Sequence, residues 1–419
     1  MALHVGSGYG KVAFQFCSSS GRTTQMSNDN VVIVAARRTP LGAFQGMLGP
    51  VSATDLSAAA SLAAIEDAGL DPAQLDEVLL GCVLPAGLGQ APARQAALAA
   101  GIPVGVPCTT VNKVCGSGMK ATMLAHDLLL AGSNQVMIAG GQESMSNAPY
   151  LVPKARAGLR MGHGKLIDHM FLDGLEDAYD KGCLMGTFAD NTADKYNFTR
   201  EQQDEFAITS LKRAQAAIES GAFKDEITPV VIKTRKGDVS VDTDEQPFNA
   251  NFEKIPKLRA AFRQDGTVTA ANSSSISDGA AALVLMRESE ADNRGVKPVV
   301  VIQGHSSFAH EPAWFTTAPV GAIKMLLEKL NWTPNDVDLF EINEAFAVVT
   351  MAAMHDLKLD HSKVNIHGGA CALGHPIGAS GARILVTLIV ALQRQGLRKG
   401  VAALCIGGGE ATAMAIELV

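Results

Sequence analysis

Short runs of β-branched residues alternate with apolar segments of helical length along most of the chain. Residues 31–34 and residues 299–302 are continuous apolar runs, the pattern of a strand buried on both faces, and they predict strands of parallel sheets. A helical segment and then a proline-led turn, at Pro72 and at Pro334, follow each run before the next short strand. This alternation predicts an α/β protein.

The same order of elements occurs twice. Matched positions recur at nearly one separation, between 262 and 268 residues, which favours a duplication over the ordinary alternation of α/β proteins. The matched pairs are Val31 with Val299, Pro72 with Pro334, Asp76 with Asp338, Ser117 with Ser380, and Gly140 with Gly407. We therefore predict two similar α/β halves that pack about a pseudo-twofold axis.

A segment of different composition separates the halves. Residues 146–271 are dominated by charged residues, methionines and short helical patterns, and they are too many for a loop and too polar for the main sheets. We predict that they form an inserted cap. The predicted division of the chain is a disordered leader at residues 1–29, the first half at 30–145, the cap at 146–271, the completion of the first half at 272–297 and the second half at 298–419.

The composition is that of a large globular protein. The 419 residues are 47% hydrophobic and 18% charged, which suffices for two or three packed units. The net charge of -7 argues against a nucleic acid or an anionic membrane as the main partner. No apolar run reaches the roughly 18 residues of a membrane helix, so we expect a soluble protein. The seven cysteines lack C-x-x-C spacing, so they predict neither a disulfide framework nor a zinc site, and they favour a cytoplasmic location.

The N-terminal segment leaves three origins open. Residues 1–25 contain no acidic residue and are rich in Gly and Ser, but they lack the apolar core and cleavage site of a secretory signal. An organellar targeting sequence, an expression remnant and a start of translation at Met26 are each compatible with this composition.

Two glycine-rich loops carry the candidate chemistry. Residues 374–383 run through His375 into an apolar helix, and residues 111–120 run through Cys115 into another. Glycine lets the backbone approach a ligand, and a helix start offers unpaired N–H groups to negative charge. We expect the helix dipole and a neighbouring histidine to favour the thiolate of Cys115, the reactive form. A cysteine beside a histidine is the arrangement of an activated nucleophile in acyl transfer.

Either residue alone is better explained by a structural role, as a small buried cysteine or as a histidine in a tight turn. The duplication changes this interpretation, because corresponding loops of two halves meet at the axis, where ligands of open α/β sheets bind. We predict a site formed by four loops, which carry Cys115, Asn343, His375 and Cys405.

Four motifs connect these residues with a known family. They are NKVCGSGMK at residues 112–120, NEAF at 343–346, GHPIG at 374–378 and CIGGG at 405–409. From about residue 30 to residue 419 the sequence resembles the thiolase family, and GASG at residues 378–381 is most similar to the acetoacetyl-CoA thiolases. The resemblance implies a five-layer αβαβα fold with a cap inserted in the first half, and a homodimer or homotetramer. It also implies reversible condensation of two acetyl-CoA molecules to acetoacetyl-CoA and CoA.

The resemblance implies a role for each motif residue. Cys115 takes the acyl group, His375 deprotonates it, and Cys405 removes the α-proton of the second acetyl-CoA. Asn343 holds a water that stabilises the thioester enolate together with His375, and the backbone N–H groups of Cys115 and Gly407 form a second oxyanion hole. Hydrogen-bond donors to the enolate oxygen are needed because an acetyl α-proton is too weakly acidic for a thiolate base unless the enolate is stabilised. The residues implied in substrate and CoA binding are Ser274, Met185, Phe315, Arg156 and Lys165.

Three positions depart from the family pattern. His367 stands where most relatives have Asn, which adds a titratable group near the site. Leu184 stands where many short-chain members have His, which weakens any inference about acyl length. Leu211 stands where potassium-responsive members have Tyr, so we expect no required metal or potassium, and no cofactor beyond the CoA thioesters themselves. A 3-ketoacyl-CoA thiolase of broader chain length in fatty-acid β-oxidation and an inactive acyl-CoA-binding protein stay as alternatives.

Two other enzyme classes fit less well. A decarboxylating ketosynthase shares the duplicated fold but is expected to have His rather than Cys at position 405. A dinucleotide-binding oxidoreductase is suggested only by the glycine runs, which lack G-x-G-x-x-G spacing after a first strand.

Overall fold

The computed structural model describes residues 29–419. The predictions of a leader at residues 1–29 and of a targeting role for residues 1–25 therefore lie outside the described residues, apart from Asp29. The strands are β1 (Val31–Arg38), β2 (Gly42–Ala43), β3 (Glu77–Gly81), β4 (Cys108–Val111), β5 (Val136–Ser144), β6 (Tyr150–Leu151), β7 (Ile167–Asp168), β8 (Val230–Thr234), β9 (Gly237–Val241), β10 (Ser277–Arg287), β11 (Val300–Ala309), β12 (Leu339–Ile342), β13 (Lys399–Ile406) and β14 (Glu410–Leu418). The helices are α1 (Ala53–Ala68), α2 (Pro92–Ala99), α3 (Ser117–Leu130), α4 (Met185–Tyr196), α5 (Arg200–Glu219), α6 (Glu288–Arg294), α7 (Ala318–Leu330), α8 (Ala347–Leu357), α9 (Ala370–Leu373) and α10 (Ser380–Gln395).

The main sheet has the order β12-β13-β14-β11-β1-β10-β5-β3-β4, with β2 attached to β10. Its centre is the antiparallel pair of β1 and β11, in which Val32 faces Val301 and Ile33 faces Val300. Outward from β1, the pairs β1–β10 and β10–β5 are antiparallel and the pair β5–β3 is parallel. Outward from β11, the pairs β11–β14 and β14–β13 are likewise antiparallel and the pair β13–β12 is parallel. This symmetry confirms the duplicated α/β fold.

The predicted parallel direction of the two β-branched runs is wrong. Strand β1 is antiparallel to both β10 and β11, and β11 is antiparallel to β14. The runs are apolar because both faces of these strands are covered, and that burial does not depend on the direction of the neighbouring strand.

Alternate strand residues face two different cores, and these cores define the layers. Val32 and Val78 pack with α1 and α2 on one side of the first half, whereas Ile33 and Leu79 pack with α3 and α10 on the other. Strands of the second half cover the opposite side of α3 and α10, and their outer face packs on α7 and α8. The order of layers is therefore helix, sheet, helix, sheet, helix, as the resemblance implies.

Equivalent aspartates hold equivalent strands in the two halves. The Asp76 carboxylate accepts hydrogen bonds from the backbone N–H groups of Gln135 and Val136, at the start of β5. The Asp338 carboxylate accepts the same pair of bonds from the backbone N–H groups of Arg398 and Lys399, at the start of β13. The duplication therefore extends from strand order to individual hydrogen bonds.

The starts of α3 and α10 cross in direct backbone contact. A Cβ atom on Gly118 would lie 2.9 Å from the backbone nitrogen of Ala382, and one on Gly381 would lie 2.5 Å from that of Met119. The loop before α10 also touches β5, where a Cβ atom on Gly141 would lie 2.1 Å from the carbonyl oxygen of Gly378. Only glycine permits these approaches without movement of the backbone.

The cap connects β5 with β10, and β10 lies between β1 and β5 in the sheet. It contains α4 and α5, and the 20-residue α5 does not match the expectation of short helices alone. Its Glu226 and Asp244 bind the fully buried guanidinium of Arg38, with Arg38 Nε 2.5 Å from Glu226 and Arg38 Nη1 2.7 Å from Asp244. This buried ion cluster fixes the cap to β1. No helix of residues 29–419 has the length and apolar character needed to cross a membrane.

We expect Gly141→Ala to lower the free energy of unfolding by about 3 kcal/mol, because the new methyl group overlaps the backbone of the loop before α10. Urea unfolding followed by circular dichroism measures this loss. The matched control is Gly105→Ala, at an exposed glycine with open space around its Cβ position, and it should change stability by less than about 0.5 kcal/mol. Equal stability of the two variants would contradict the close contact.

Candidate active site

Cys115 lies in the turn between β4 and α3, two residues before the helix begins. The hydroxyl of Ser117 closes this turn, since it accepts a hydrogen bond from the backbone N–H of Lys113 at 2.8 Å and donates one to the carbonyl of Val114 at 2.6 Å. Val114 has a left-handed backbone conformation with φ of 46°. The turn therefore holds the sulfur of Cys115 next to the positive end of α3.

His375 lies in the loop between α9 and α10, and its hydrogen bonds determine its tautomer. Its Nδ1 is 2.6 Å from the hydroxyl oxygen of Ser380, and that hydroxyl donates its one hydrogen to the carbonyl of Pro376 at 2.9 Å. Nδ1 must therefore be the donor to Ser380. The buried Nε2 has no partner within residues 29–419, so its lone pair is free to accept a proton.

One cavity collects most of the predicted site residues. Those that line it are Cys115, Met185, Ser274, Phe315, His375 and Gly407. Ile377, Phe346 and Leu175 complete an apolar wall. The cavity therefore brings a thiol and an imidazole from the two halves into a space that a small apolar group can enter.

Cys405 and Asn343 lie deeper, next to this cavity. Cys405 is fully buried near the end of β13 and packs with Phe315 and Phe346, both of which line the cavity. Asn343 follows β12, and its backbone N–H donates to the carbonyl of Ala403 at 3.0 Å. The side-chain amide of Asn343 is buried, and neither of its polar atoms has a partner among the described residues. A buried amide without partners is unfavourable, which marks Asn343 as a group that holds a ligand or a water.

Three predicted positions lie apart from the cavity lining. Arg156 and Lys165 are in an exposed part of the cap, between β6 and β7. His367 packs its ring nearly perpendicular to Phe223, at 5.8 Å between ring centroids, so its titratable group faces the cap. The structure therefore gives no cavity contact for these three side chains.

Comparisons with known proteins identify the family of the chain. The chain matches the model of the thiolase N-terminal domain over residues 31–289 and that of the thiolase C-terminal domain over residues 296–418. The chain belongs to the thiolase family. The acetyl-CoA acetyltransferase of Pseudomonas aeruginosa is 51% identical to this thiolase over 389 residues, which cover 92% of this chain and 99% of that protein. The acetyl-CoA acetyltransferase of Cupriavidus necator is 49% identical, with coverages of 93% and 99%.

Solved thiolase structures have the same fold. The acetyl-CoA acetyltransferase of Bacillus anthracis superposes with a TM-score of 0.91 at 43% identity, and the match covers 93% of this chain and 99% of that one. A thiolase from Ascaris suum in complex with coenzyme A superposes with a TM-score of 0.88 at 42% identity, and coverages of 93% and 100%. The predicted family and fold are thereby confirmed.

Burial decides the protonation states of Cys115 and His375 in this thiolase. It raises the pKa of the Cys115 thiol to about 11, although the backbone N–H groups of Gly407 and of Cys115 itself act to lower it. Burial, together with the positive charge of Arg383, lowers the pKa of His375 to about 3. The expectation of a resting thiolate is therefore wrong, because desolvation outweighs the stabilising backbone N–H groups. The pair rests as a neutral thiol and a neutral imidazole.

Two residues of the site have roles that the sequence did not reveal. The Glu143 carboxylate accepts hydrogen bonds from the backbone N–H groups of Val83 at 2.9 Å, Leu84 at 3.1 Å and Gly378 at 2.9 Å, so it ties the loop of His375 to the loop after β3. Ser380 sets the tautomer of His375. The repeated Ser-Gly motif and the Gly-Gly-x-Glu sequence at the end of β5 were visible signals, but they did not indicate these contacts.

We expect the alkylation of Cys115 by iodoacetamide to increase about tenfold per pH unit from about pH 5 to about pH 9, because a thiol of high pKa gains thiolate throughout this range. A lowered pKa keeps His375 neutral above about pH 3, so the plot of alkylation rate against pH should have no inflection near the ordinary pKa of histidine. Peptide mass spectrometry of the modified Cys115 gives the rate. A plateau below about pH 8 would mean that the thiolate is stabilised at rest.

Proposed function

We propose that this thiolase is an acetyl-CoA C-acetyltransferase, which joins two acetyl-CoA molecules to acetoacetyl-CoA and CoA and also runs the reaction in reverse. The observation that carries the proposal is the shared cavity of Cys115 and His375, with the free Nε2 of a neutral imidazole beside a nucleophilic thiol. The names of the relatives described above support the same activity. The presence of both cysteines and of His375 favours an active enzyme over a binding protein.

The first half-reaction transfers an acetyl group to Cys115. His375 Nε2 accepts the thiol proton as the sulfur attacks the thioester carbonyl, and the backbone N–H groups of Cys115 and Gly407 stabilise the oxyanion. The carbon–sulfur bond to CoA then breaks. The departing CoA sulfur takes the proton from His375, which returns the imidazole to its neutral form.

The second half-reaction forms the carbon–carbon bond. Cys405 first passes its thiol proton to His375 Nε2, and the resulting thiolate removes a proton from the methyl group of a second acetyl-CoA. The protonated His375 and a water held by Asn343 then stabilise the enolate oxygen. The carbanion attacks the acetyl carbon on Cys115, and the Cys115 sulfur leaves. In this step His375 restores the proton of Cys115.

The protonation of Cys405 depends on the state of Cys115. Burial, and after it the charge of Cys115, raise the pKa of Cys405 well above its ordinary range. Acetylated Cys115 cannot ionise, so no thiolate at that position opposes the loss of the Cys405 proton once the first half-reaction is complete. This coupling favours the order in which acyl transfer precedes α-proton removal.

A short acyl group fits the apolar wall best. Met185, Phe315 and Phe346 are large side chains that line the same cavity as Cys115, and they leave little length for a longer chain. This supports acetyl-CoA and acetoacetyl-CoA as substrates. A thiolysis assay against 3-ketoacyl-CoA substrates of increasing chain length compares the proposal with the alternative of broader chain length.

We expect Cys405→Ala to separate the two half-reactions. Cys115 and His375 remain, so mass spectrometry of the intact protein should detect one acetyl group after treatment with acetyl-CoA. Condensation and thiolysis should fall on the order of a hundredfold or more, because a positioned acid–base group is lost. Exchange of the acetyl hydrogens of acetyl-CoA with deuterated water should vanish, since exchange requires the base alone.

Two further variants complete this test. Cys115→Ser should lose the covalent acetyl group, and Cys108→Ala, which changes a cysteine on β4, should retain both half-reactions. Normal turnover of Cys115→Ser would refute the acyl-cysteine route. Exchange that persists in Cys405→Ala would assign the base to another residue.

We also propose that the chain forms a homodimer or a dimer of dimers. Among residues 29–419, strand β4 pairs only with β3, so its other edge is open, and β4 leads directly into the turn of Cys115. An open sheet edge is a site for pairing with a second copy. Light scattering should give a multiple of the 43.8 kDa chain mass, and a stable active monomer would contradict the proposal.

A further inference from the structure

Three side chains converge at a place far from the catalytic cavity. His126 and Asp127 lie on α3, and His305 lies on β11. His305 Nε2 is 3.2 Å from His126 Nδ1 and 2.9 Å from the Asp127 Oδ1 atom, and His126 Nδ1 is 3.1 Å from the same oxygen. Within residues 29–419, this is the one group of three histidine, cysteine or carboxylate side chains with metal-binding spacing.

No placement of protons on two neutral imidazoles satisfies all three contacts. If both facing nitrogens carry hydrogen, the two imidazoles oppose donor to donor. If one carries hydrogen, the other nitrogen faces the carboxylate oxygen with two lone pairs opposed. A cation at the centre satisfies all three atoms, because each then points a lone pair at it.

The triangle has the dimensions of one face of a tetrahedral metal site. Metal–ligand distances of about 2.0 to 2.1 Å, as for Zn²⁺, give distances of about 3.3 Å between ligand atoms. The three distances of 3.2, 3.1 and 2.9 Å differ from this value by a few tenths of an ångström. Two imidazoles and one carboxylate are also a ligand set that Zn²⁺ accepts.

The two histidines of the cluster are largely buried, whereas the side of the cluster at Asp127 is open to solvent. Desolvation lowers the pKa of His126 and of His305, so both imidazoles are neutral and can act as ligands. The Asp127 side chain is 54% exposed, whereas those of His126 and His305 are 11% and 13% exposed. The exposed side offers a water the fourth position. The positive charge of Lys329, which also acts on both histidines, weakens the attraction for a cation without occupying the centre.

We propose that His126, Asp127 and His305 bind a divalent cation of the zinc type, with water as the fourth ligand, and that this ion joins the two halves of the fold. Helix α3 belongs to the first half and β11 to the second, so the ion bridges elements that the sheet connects only through β1 and β11. The site lies nine residues beyond the start of α3, or about 13 Å along the helix. Its role is therefore structural, and acyl transfer on Cys115 does not require it.

The test is a titration of the full-length protein with Zn²⁺ alone after treatment with a chelator. Calorimetry and native mass spectrometry should detect one equivalent bound to the parent protein. Binding should weaken at least about tenfold in His305→Asn, His126→Gln and Asp127→Asn. The exposed position of Asp127 makes the last variant tolerable for folding. The matched control is His355→Asn, because His355 faces Asp356 at 2.8 Å as a pair without a second histidine, and it should bind as the parent does.

A second measurement separates this site from the cysteines. Zn²⁺ should raise the melting temperature of the parent protein and of His355→Asn but not that of His305→Asn, since an ion that binds only the folded state stabilises it. Absence of binding to the parent would overturn the proposal. Equal binding by His305→Asn, or loss of binding after alkylation of the cysteines in the parent, would overturn it as well, because the ion would then lie on sulfur.

Discussion

The close crossing of α3 and α10 is the constraint on which the rest of the structure depends. Gly118 and Gly381 bring the two helix starts into backbone contact at the pseudo-twofold axis, and the loop before each helix carries one of the proposed catalytic side chains. Cys115 and His375 therefore meet because their helices do. The strands of both halves pack on these two helices, so a displacement of the crossing would disturb the inner core and the cavity together.

The buried interior that shapes the cavity also keeps Cys115 and His375 uncharged before a substrate binds. An exposed cysteine and histidine would titrate near neutral pH, whereas burial separates the pKa values of Cys115 and His375 to about 11 and about 3. Neither group is charged before a substrate arrives, so the apolar wall carries no buried ion. The fixed tautomer of His375 compensates for its weak basicity. Its Nε2 is already oriented to accept the thiol proton when the sulfur of Cys115 begins to attack the substrate carbonyl.

Much of this architecture could be predicted because the duplication repeats matched residues at a nearly constant separation in the sequence. Asp76 and Asp338 are separated by nearly the same number of residues as the loops, and each makes the same hydrogen bonds. Strand direction could not be predicted, since burial on both faces gives β1 the same apolar run in either orientation. The resting state of Cys115 was also misjudged, because a helix start is visible in a sequence but the desolvation of a thiol is a property of the packed interior. The contact of Ser380 with His375 within one tight turn, and that of Glu143 with Gly378 between distant segments, have no periodic signature.

The position of β10 has a consequence for synthesis on the ribosome. This strand lies between β1 and β5 in the sheet, yet it follows the whole cap in the chain. A nascent chain that has emerged only as far as β5 cannot close its first sheet, and its apolar strand edges remain uncovered until residues 145–276 have also been made. Translation pauses within the cap would lengthen this exposed interval, whereas pauses after β10 would not. The vulnerable stage of biogenesis therefore coincides with the synthesis of the cap.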